Sequence, residues 1–313
     1  MIVYRELSSL ETDLGLTARQ LYSLSNALSR HYHKASIPKG NGDARTLRVP
    51  DEELKNAQRR ILNRLLVYET VSPYASAYRY GGSTVRNASP HVGKPVLLKL
   101  DIRHFFDNLI YPVVKEKVFP ADRYSEKLRI LLSILCTYDG VLPQGAPTSP
   151  MITNIIMRDF DNRVGKWCSE RGVSYTRYSD DMTFSGDFAP GPVIDLVRAE
   201  LRVFGLYLND EKTAVVRSGK RQTVTGIVVN HRIGIPSEYR RRIRQEMHYC
   251  MKFGIESHLE RSGESLGREE YLNKLQGQVN YVLSVSSSDE FQEYKAWIIA
   301  QRKQAGTLPG GSA

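Results

Sequence analysis

A chain of 313 residues that is 41% hydrophobic and 25% charged is long enough for two or three cooperating subdomains and too mixed to be fibrous or disordered. Its 44 Lys and Arg against 34 Asp and Glu give a net charge of +10 and a pI near 9.4, which suits either a merely soluble basic surface or a polyanionic partner. No apolar run reaches the ~20 residues of a membrane helix, and the opening residues lack the basic-then-apolar order of a secretion signal. Cys136, Cys168 and Cys250 form no CxxC pair. The expectation is a cytoplasmic protein without membrane contact, zinc site or disulfide framework.

Residues 1–33 read as helical, with Leu14, Leu16, Leu21, Leu24 and Leu28 in helical rhythm. The stretch "SIPKGNGDARTLRVP" reads as a β-hairpin carrying Lys39 and Arg45, and "DEELKNAQRRILNRLL" as an amphipathic helix with acids in its first turn. "KPVLLKLDIRHFF" is a buried strand ending near Asp101. In "LPQGAPTSPMITNIIMRDFDNRVGKW" a Pro- and Gly-rich loop leads into a helix, with Ser149 expected as N-cap and Pro150 as the first helical residue. Ile152, Ile155, Ile156, Phe160, Val164 and Trp167 then form one apolar stripe.

"YTRYSDDMTFSG", residues 175–186, reads as two strands joined by a tight turn at two adjacent aspartates. A helix around Ile194 to Phe204 and the extended stretch "LYLNDEKTAVVR" follow, and from Pro236 the chain is helical again. The order strand, helices, hairpin, helix, strand is the split βαβ plan: an α+β fold with an antiparallel sheet backed by helices on one face. The last residues, 306–313, have turn and linker composition and are expected to form a disordered tail.

That plan sets the strand of Asp101 beside the hairpin of Asp180 and Asp181. Three converging carboxylates are unstable without cations, and carboxylate oxygens are the ligands Mg²⁺ prefers. Two such ions ~4 Å apart can activate a hydroxyl and stabilise a leaving pyrophosphate. In a basic protein this pattern points to phosphoryl transfer on nucleic acid; the competing reading is a pair of solvated turn aspartates.

The segments "LKLDIRHFF", "LPQGAPTSPMITN", "YTRYSDDMTFSG" and "LNDEKT" occur in the order and spacing of the palm motifs of reverse transcriptases. More narrowly, the chain resembles the bacterial retron reverse transcriptases. "RNASPHVG" matches their NAxxH element at Asn87, Ala88 and His91, and "QTVTGIVVN" their VTG element at Val224, Thr225 and Gly226. One departure is Ser179, where most of the family has alanine.

The resemblance implies a right-hand polymerase fold: N-terminal helices and fingers over 1–95, a palm over 96–232 with some fingers elements inserted, and a small helical thumb over 233–305. It implies Asp101 and Asp180 as principal ligands of two Mg²⁺ ions, with Mn²⁺ as substitute, Asp181 as a peripheral one, and Lys212 as general acid. Phe106 would exclude a 2′-OH, Gln144 and Gly145 would lie beside the incoming dNTP, and Lys39 and Arg45 would grip its triphosphate. Asn87, His91 and Val224 to Gly226 would serve the cognate RNA, and Arg240, Arg241, Arg242 and Arg244 the duplex backbone.

The implied activity is RNA-directed DNA polymerisation, primed from a 2′-OH within a cognate non-coding RNA and yielding a branched RNA-linked single-stranded DNA. A separate effector protein in antiphage defence is implied as partner. The alternatives are a group II intron-like or diversity-generating reverse transcriptase, and an RNA-bound scaffold for an effector.

Overall fold

The computed structural model describes residues 3–38, 44–263 and 265–305. Its elements run in the order α1 (Leu7–Leu14), α2 (Ala18–Asn26), β1 (Tyr32–Pro38), β2 (Ala44–Pro50), α3 (Glu52–Arg64), α4 (Thr84–Ala88), β3 (Val96–Asp101), α5 (Tyr111–Val118), α6 (Glu126–Cys136) and α7 (Ser149–Ser169). They continue as β4 (Ser174–Tyr178), β5 (Asp181–Gly186), α8 (Pro190–Arg202), β6 (Ala214–Arg217), β7 (Thr223–Val224), β8 (Ile227–Val228), α9 (Ser237–Phe253), α10 (Ile255–Ser262), α11 (Arg268–Val285) and α12 (Asp289–Ala305). The chain divides into two compact units: the described residues of one are 3–38, 44–83 and 95–216, and those of the other 84–94, 217–263 and 265–305. The tail expected to be disordered, 306–313, lies outside the described residues.

The first unit holds a four-stranded sheet in the order β4-β5-β3-β6, with β5 antiparallel to both β3 and β4. This is the split βαβ arrangement that the order of elements implied. β3 is apolar at nearly every position because both of its faces are covered. Leu98 and Leu100 of β3, Met182 and Phe184 of β5, and Ile152, Ile156 and Phe160 of α7 share one core, each such side chain contributing roughly 1.5–3 kcal/mol by leaving water. α3 begins as its acids foretold, the Asp51 carboxylate accepting the Leu54 N–H at 3.0 Å.

Two local expectations change. Ser149 is the first residue of α7 rather than its cap, and its hydroxyl donates to the Pro143 carbonyl at 2.8 Å, bracing the preceding loop. Lys212 sits in a short 3₁₀ turn, Asp210–Lys212, rather than in an extended stretch.

In the second unit α9, α10, α11 and α12 pack around Ile243, Met247, Tyr271, Leu275, Val279, Phe291 and Ile298. Residues 84–94, which the sequence placed with the N-terminal part, belong to this unit, as do 217–232, which it placed with the sheet. Hydrogen bonds account for it: Gly93 N–H donates to the Val229 carbonyl at 2.9 Å and the Thr225 hydroxyl to the Thr84 carbonyl at 3.4 Å. Among the described residues no helix is long and apolar enough to cross a membrane.

Candidate active site

β3 ends on Asp101 and β5 begins on Asp181, and the two are direct partners in the antiparallel ladder. Side chains so paired share one face of a sheet, with Cβ atoms about 4.5–5.5 Å apart. Asp180 occupies the turn between β4 and β5, and its carbonyl accepts the Ile102 N–H at 3.1 Å, which ties the turn to the end of β3. All three aspartates line one cleft of about 1090 Å³ in the first unit. Lys212 lines it too, and its ammonium donates to Asp101 Oδ2 at 2.8 Å. The turn bearing that lysine is fixed to β3 by Asn209 N–H, which donates to the Asp101 carbonyl at 2.8 Å.

Burial, then the charges of Asp180 and Asp101, push the Asp181 carboxyl up to about 6, with Lys212 and Lys99 pulling the other way. Asp181 is nonetheless exposed to the cleft, so the repulsion between carboxylates is the part that a cation there can relieve. The hydrogen bond to Asp101 raises the Lys212 ammonium further, so Lys212 is charged at neutral pH. Three carboxylates around one lysine carry surplus negative charge, and an all-oxygen donor set suits a hard divalent ion. Among the described residues no three His, Cys, Asp or Glu side chains already form a closed metal cage, and the counter-charge Asp101 meets is Lys212. The residues therefore fit Mg²⁺ in chemistry.

A buried bracket behind the turn escaped the sequence reading. Arg177 of β4 is 0% exposed. Its guanidinium donates to Asp161 of α7 through Nε at 2.8 Å and Nη2 at 2.6 Å, to Asn154 Oδ1 at 3.2 Å, and through Nη1 to the Ser179 carbonyl at 2.9 Å. The Tyr175 hydroxyl adds a 2.7 Å bond to Asp161. Ser179 has φ 62°, a left-handed backbone that an L-residue adopts at a cost, and Arg177 holds the carbonyl of that residue. The signal lay in the sequence: Asp161 is a charge on the apolar stripe of α7, between Phe160 and Val164.

The other cleft residues sort by backbone geometry. Phe105 is buried and Phe106 half-buried, edge to face with centroids 5.6 Å apart, and both line the cleft. Gln144 lines it as well, while its carbonyl accepts the Arg48 N–H at 2.8 Å. Gly145 has φ 128°, and a Cβ there would lie 2.8 Å from the Arg48 carbonyl. Glycine is therefore required by the close passage of this loop along β2. Lys39 lies outside the described residues, and Arg45 is described only as backbone within β2. The arginines described on the cleft wall are Arg48, whose guanidinium stands 5.3 Å over the Tyr138 ring, and the exposed Arg103.

The two short retron-like elements meet within the second unit. Asn87 Nδ2 donates to the Thr225 hydroxyl at 3.5 Å. Asn87, His91 and Val224 are buried, so their side chains hold the packing, while Gly226 at the hairpin tip is exposed. Burial drives the His91 imidazolium pKa down to about 3. On α9, Arg241, Arg242 and Arg244 are exposed and Arg240 half-buried. Arg244 is clamped bidentately to Glu290 of α12 at 2.8–2.9 Å, and Arg242 lies over the Tyr239 ring at 5.3 Å.

The family model for reverse transcriptase (RNA-dependent DNA polymerase) matches residues 37–249. The chain is 35% identical over 272 residues to the retron Mx65 reverse transcriptase of Myxococcus xanthus, covering 79% of this chain and 63% of that protein. It is 30% identical over 246 residues to the retron Ec86 reverse transcriptase of Escherichia coli, covering 78% of this chain and 72% of that protein. A solved telomerase structure from Candida albicans, in complex with a fragment of telomeric RNA, aligns over 90% of this chain and 66% of its own at 13% identity and a TM-score of 0.44, too loose a likeness to argue from. The chain belongs to the reverse transcriptase family, in its retron branch, and has that family's polymerase fold. It spans less than two thirds of the Mx65 enzyme.

Proposed function

We propose that this protein is an RNA-directed DNA polymerase of the retron type, copying part of a cognate non-coding RNA into a branched RNA-linked single-stranded DNA. The observation that carries the reading is the ladder pairing of Asp101 with Asp181, with Asp180 beside them and Lys212 facing them, at the floor of one cleft. In this reading the N-terminal helices and the β1–β2 hairpin serve as fingers, the β4-β5-β3-β6 sheet as palm and α9–α12 as thumb.

Asp101 and Asp180 would be the main ligands of two Mg²⁺ ions and Asp181 a peripheral one. When bound, the ions lower the pKa of the attacking hydroxyl and neutralise the leaving pyrophosphate. The primer hydroxyl, a 2′-OH at initiation and a 3′-OH afterwards, attacks the α-phosphorus of a dNTP as the bond to pyrophosphate breaks, and its own proton passes to water. Lys212, held at 2.8 Å from Asp101 Oδ2, would give its proton to the departing oxygen. Phe106 underlies the sugar and excludes a 2′-OH, and Gln144 borders the incoming nucleotide. Arg48 and Arg103 supply the positive wall for its triphosphate, in addition to the Lys39 and Arg45 of the sequence reading. Thr225 and Gly226, at the exposed tip braced by Asn87, His91 and Val224, and the thumb arginines face the RNA. A separate effector protein in phage defence completes the system.

Primer extension on an RNA template with dNTPs and Mg²⁺ tests the chemistry. Asp180→Asn with Asp181→Asn should lower the rate by at least about 10³-fold, the scale of losing a main stabiliser of transition-state charge. A double variant that still extends at the parent rate removes the metal assignment. The retron claim has its own test: nucleic acid extracted from the native complex should be shortened by RNase and by DNase alike, and its DNA part should vanish in the double variant. RNA alone on the native complex would favour the scaffold reading.

A further inference from the structure

A second concavity lies wholly inside the second unit, between the end of α9 and α10, which meet at Gly254. It measures about 520 Å³. Its wall is aromatic. The Tyr249 ring lies parallel to His258, at 8° and 5.9 Å between centroids, and near-parallel to Phe253, at 26° and 6.1 Å. Tyr249 and Phe253 remain 40% and 43% exposed, although large apolar rings gain by leaving water. His258 rests on the buried Tyr271, whose hydroxyl donates to Glu246 at 3.1 Å, so the floor is fixed while the upper rings stay open.

The charge around these rings is one-sided. Arg261 and Lys252 stand 5.5 and 5.2 Å from the Phe253 ring, and Arg242 reaches the same concavity. Glu246 is the acid in its lining, engaged by Tyr271 and paired with Arg242 at 3.9 Å, which leaves Arg261 and Lys252 as the surplus cations. Flat exposed rings call for another flat ring, and surplus cations call for an anion. A nucleobase with its own phosphate supplies both on one molecule, at ~1–3 kcal/mol for each base stacked on an aromatic side chain. A paired base cannot enter, because its faces are already stacked, so the strand must be single. Gln245, Ser257 and Ser262 place amide and hydroxyl groups in the lining, partners for a ribose 2′-OH that DNA lacks.

We propose that this crevice captures one unstacked base of single-stranded RNA, on Tyr249 and Phe253, with Arg261 on the adjoining phosphate. The RNA is the cognate transcript of the function proposed above, and the site is separate from the catalytic cleft. The probe is a single-stranded RNA of about 12 nucleotides, within the reach of one such platform, bearing one 2-aminopurine whose fluorescence an aromatic stack quenches. It is titrated with the full chain without dNTPs, beside the same RNA in a duplex and the same sequence as DNA.

Tyr249→Ala and Phe253→Ala should each weaken single-strand binding about 5- to 150-fold and remove the quenching, the scale of one lost stack. Tyr249→Phe should keep both, and Tyr68→Ala, an exposed tyrosine of the first unit, should change neither. Unchanged affinity in Tyr249→Ala overturns the proposal and leaves the crevice to a protein partner. An equal loss for duplex RNA, or DNA bound as tightly as RNA, overturns it too. Primer extension is read separately: a chain that polymerises without capturing the probe sinks this inference alone, and one that captures the probe without polymerising sinks only the polymerase reading.

Discussion

The hairpins β4–β5 and β7–β8 turn their chains in similar ways and put opposite things on display. Ser179 at φ 62° lies in the first turn, and Thr225 at 46° and Gly226 at 82° form the second. A left-handed L-residue costs roughly 1–2 kcal/mol, so each turn needs support from outside itself. The first is held from behind by the Arg177, Asp161 and Asn154 network and presents carboxylates to a cleft. The second is held by α4 through Thr84 and Asn87 and presents backbone at Gly226. Where a turn must carry repelling charges, its brace is itself charged and fully buried. Where it carries only shape, neutral hydrogen bonds and apolar packing suffice.

Removing the charged brace gives the largest expected effect on stability. Arg177→Met leaves the buried Asp161 without its counter-charge and with only the Tyr175 hydroxyl as donor, a loss that costs about 3–5 kcal/mol when one member of a buried pair is removed. Urea unfolding should report that loss, and Arg177→Met combined with Asp161→Leu should recover most of it, since exchanging both charges for apolar groups is often neutral. If the single substitution costs less than about 1 kcal/mol, the turn stands without its bracket and the contrast between the hairpins collapses.

The second hairpin's surroundings answer to pH instead. Buried His91 titrates near 3 in the folded chain and near 6.5 when unfolded, so the unfolded chain takes up the proton first. Its contribution to stability is complete above about pH 6.5 and declines as pH falls toward 3, by ~1.4 kcal/mol per pH unit. At pH 5 the deficit should be about 2 kcal/mol relative to pH 7. Chemical denaturation of the parent and of His91→Gln at both pH values isolates it, because other acids titrate alike in both proteins. Equal pH slopes in the two would mean that His91 is protonated without penalty and that its burial does not govern this element.

The same contrast explains which features were legible in the sequence. The β1–β2 hairpin, β3, the β4–β5 hairpin and the long helix α7 follow from local periodicity, and the split βαβ plan sets β3 beside β5, where the register then pairs Asp101 with Asp181. The brace did not show, because an arginine amid tyrosines reads as a solvent-facing strand position until α7 is laid against it. The packing of residues 84–94 against the β7–β8 hairpin did not show for a similar reason: Asn87 and Thr225 are 138 positions apart, and no local pattern encodes that pairing. The part played by Gly145 was half legible. The need for a backbone approach was clear, whereas the partner, the carbonyl of Arg48, appears only once β2 is in place.

Ser179 supplies the smallest expected effect and the finest test of the comparison. Serine and alanine both bear a Cβ, so each meets the same left-handed cost at φ 62°, and the guanidinium of Arg177 grips the backbone carbonyl whichever side chain is there. What the hydroxyl adds is a long 3.4 Å bond from the Tyr78 hydroxyl, within the cleft wall. A bond of that length is at the weak end of the net ~0.5–1.5 kcal/mol scale, so Ser179→Ala should move stability by less than about 1 kcal/mol. The KM for dNTPs in primer extension should shift by no more than about fivefold, the same free energy expressed as an equilibrium. A larger change would show that the turn is read through its side chain as well as braced through its backbone, and the two hairpins would then differ in degree rather than in kind.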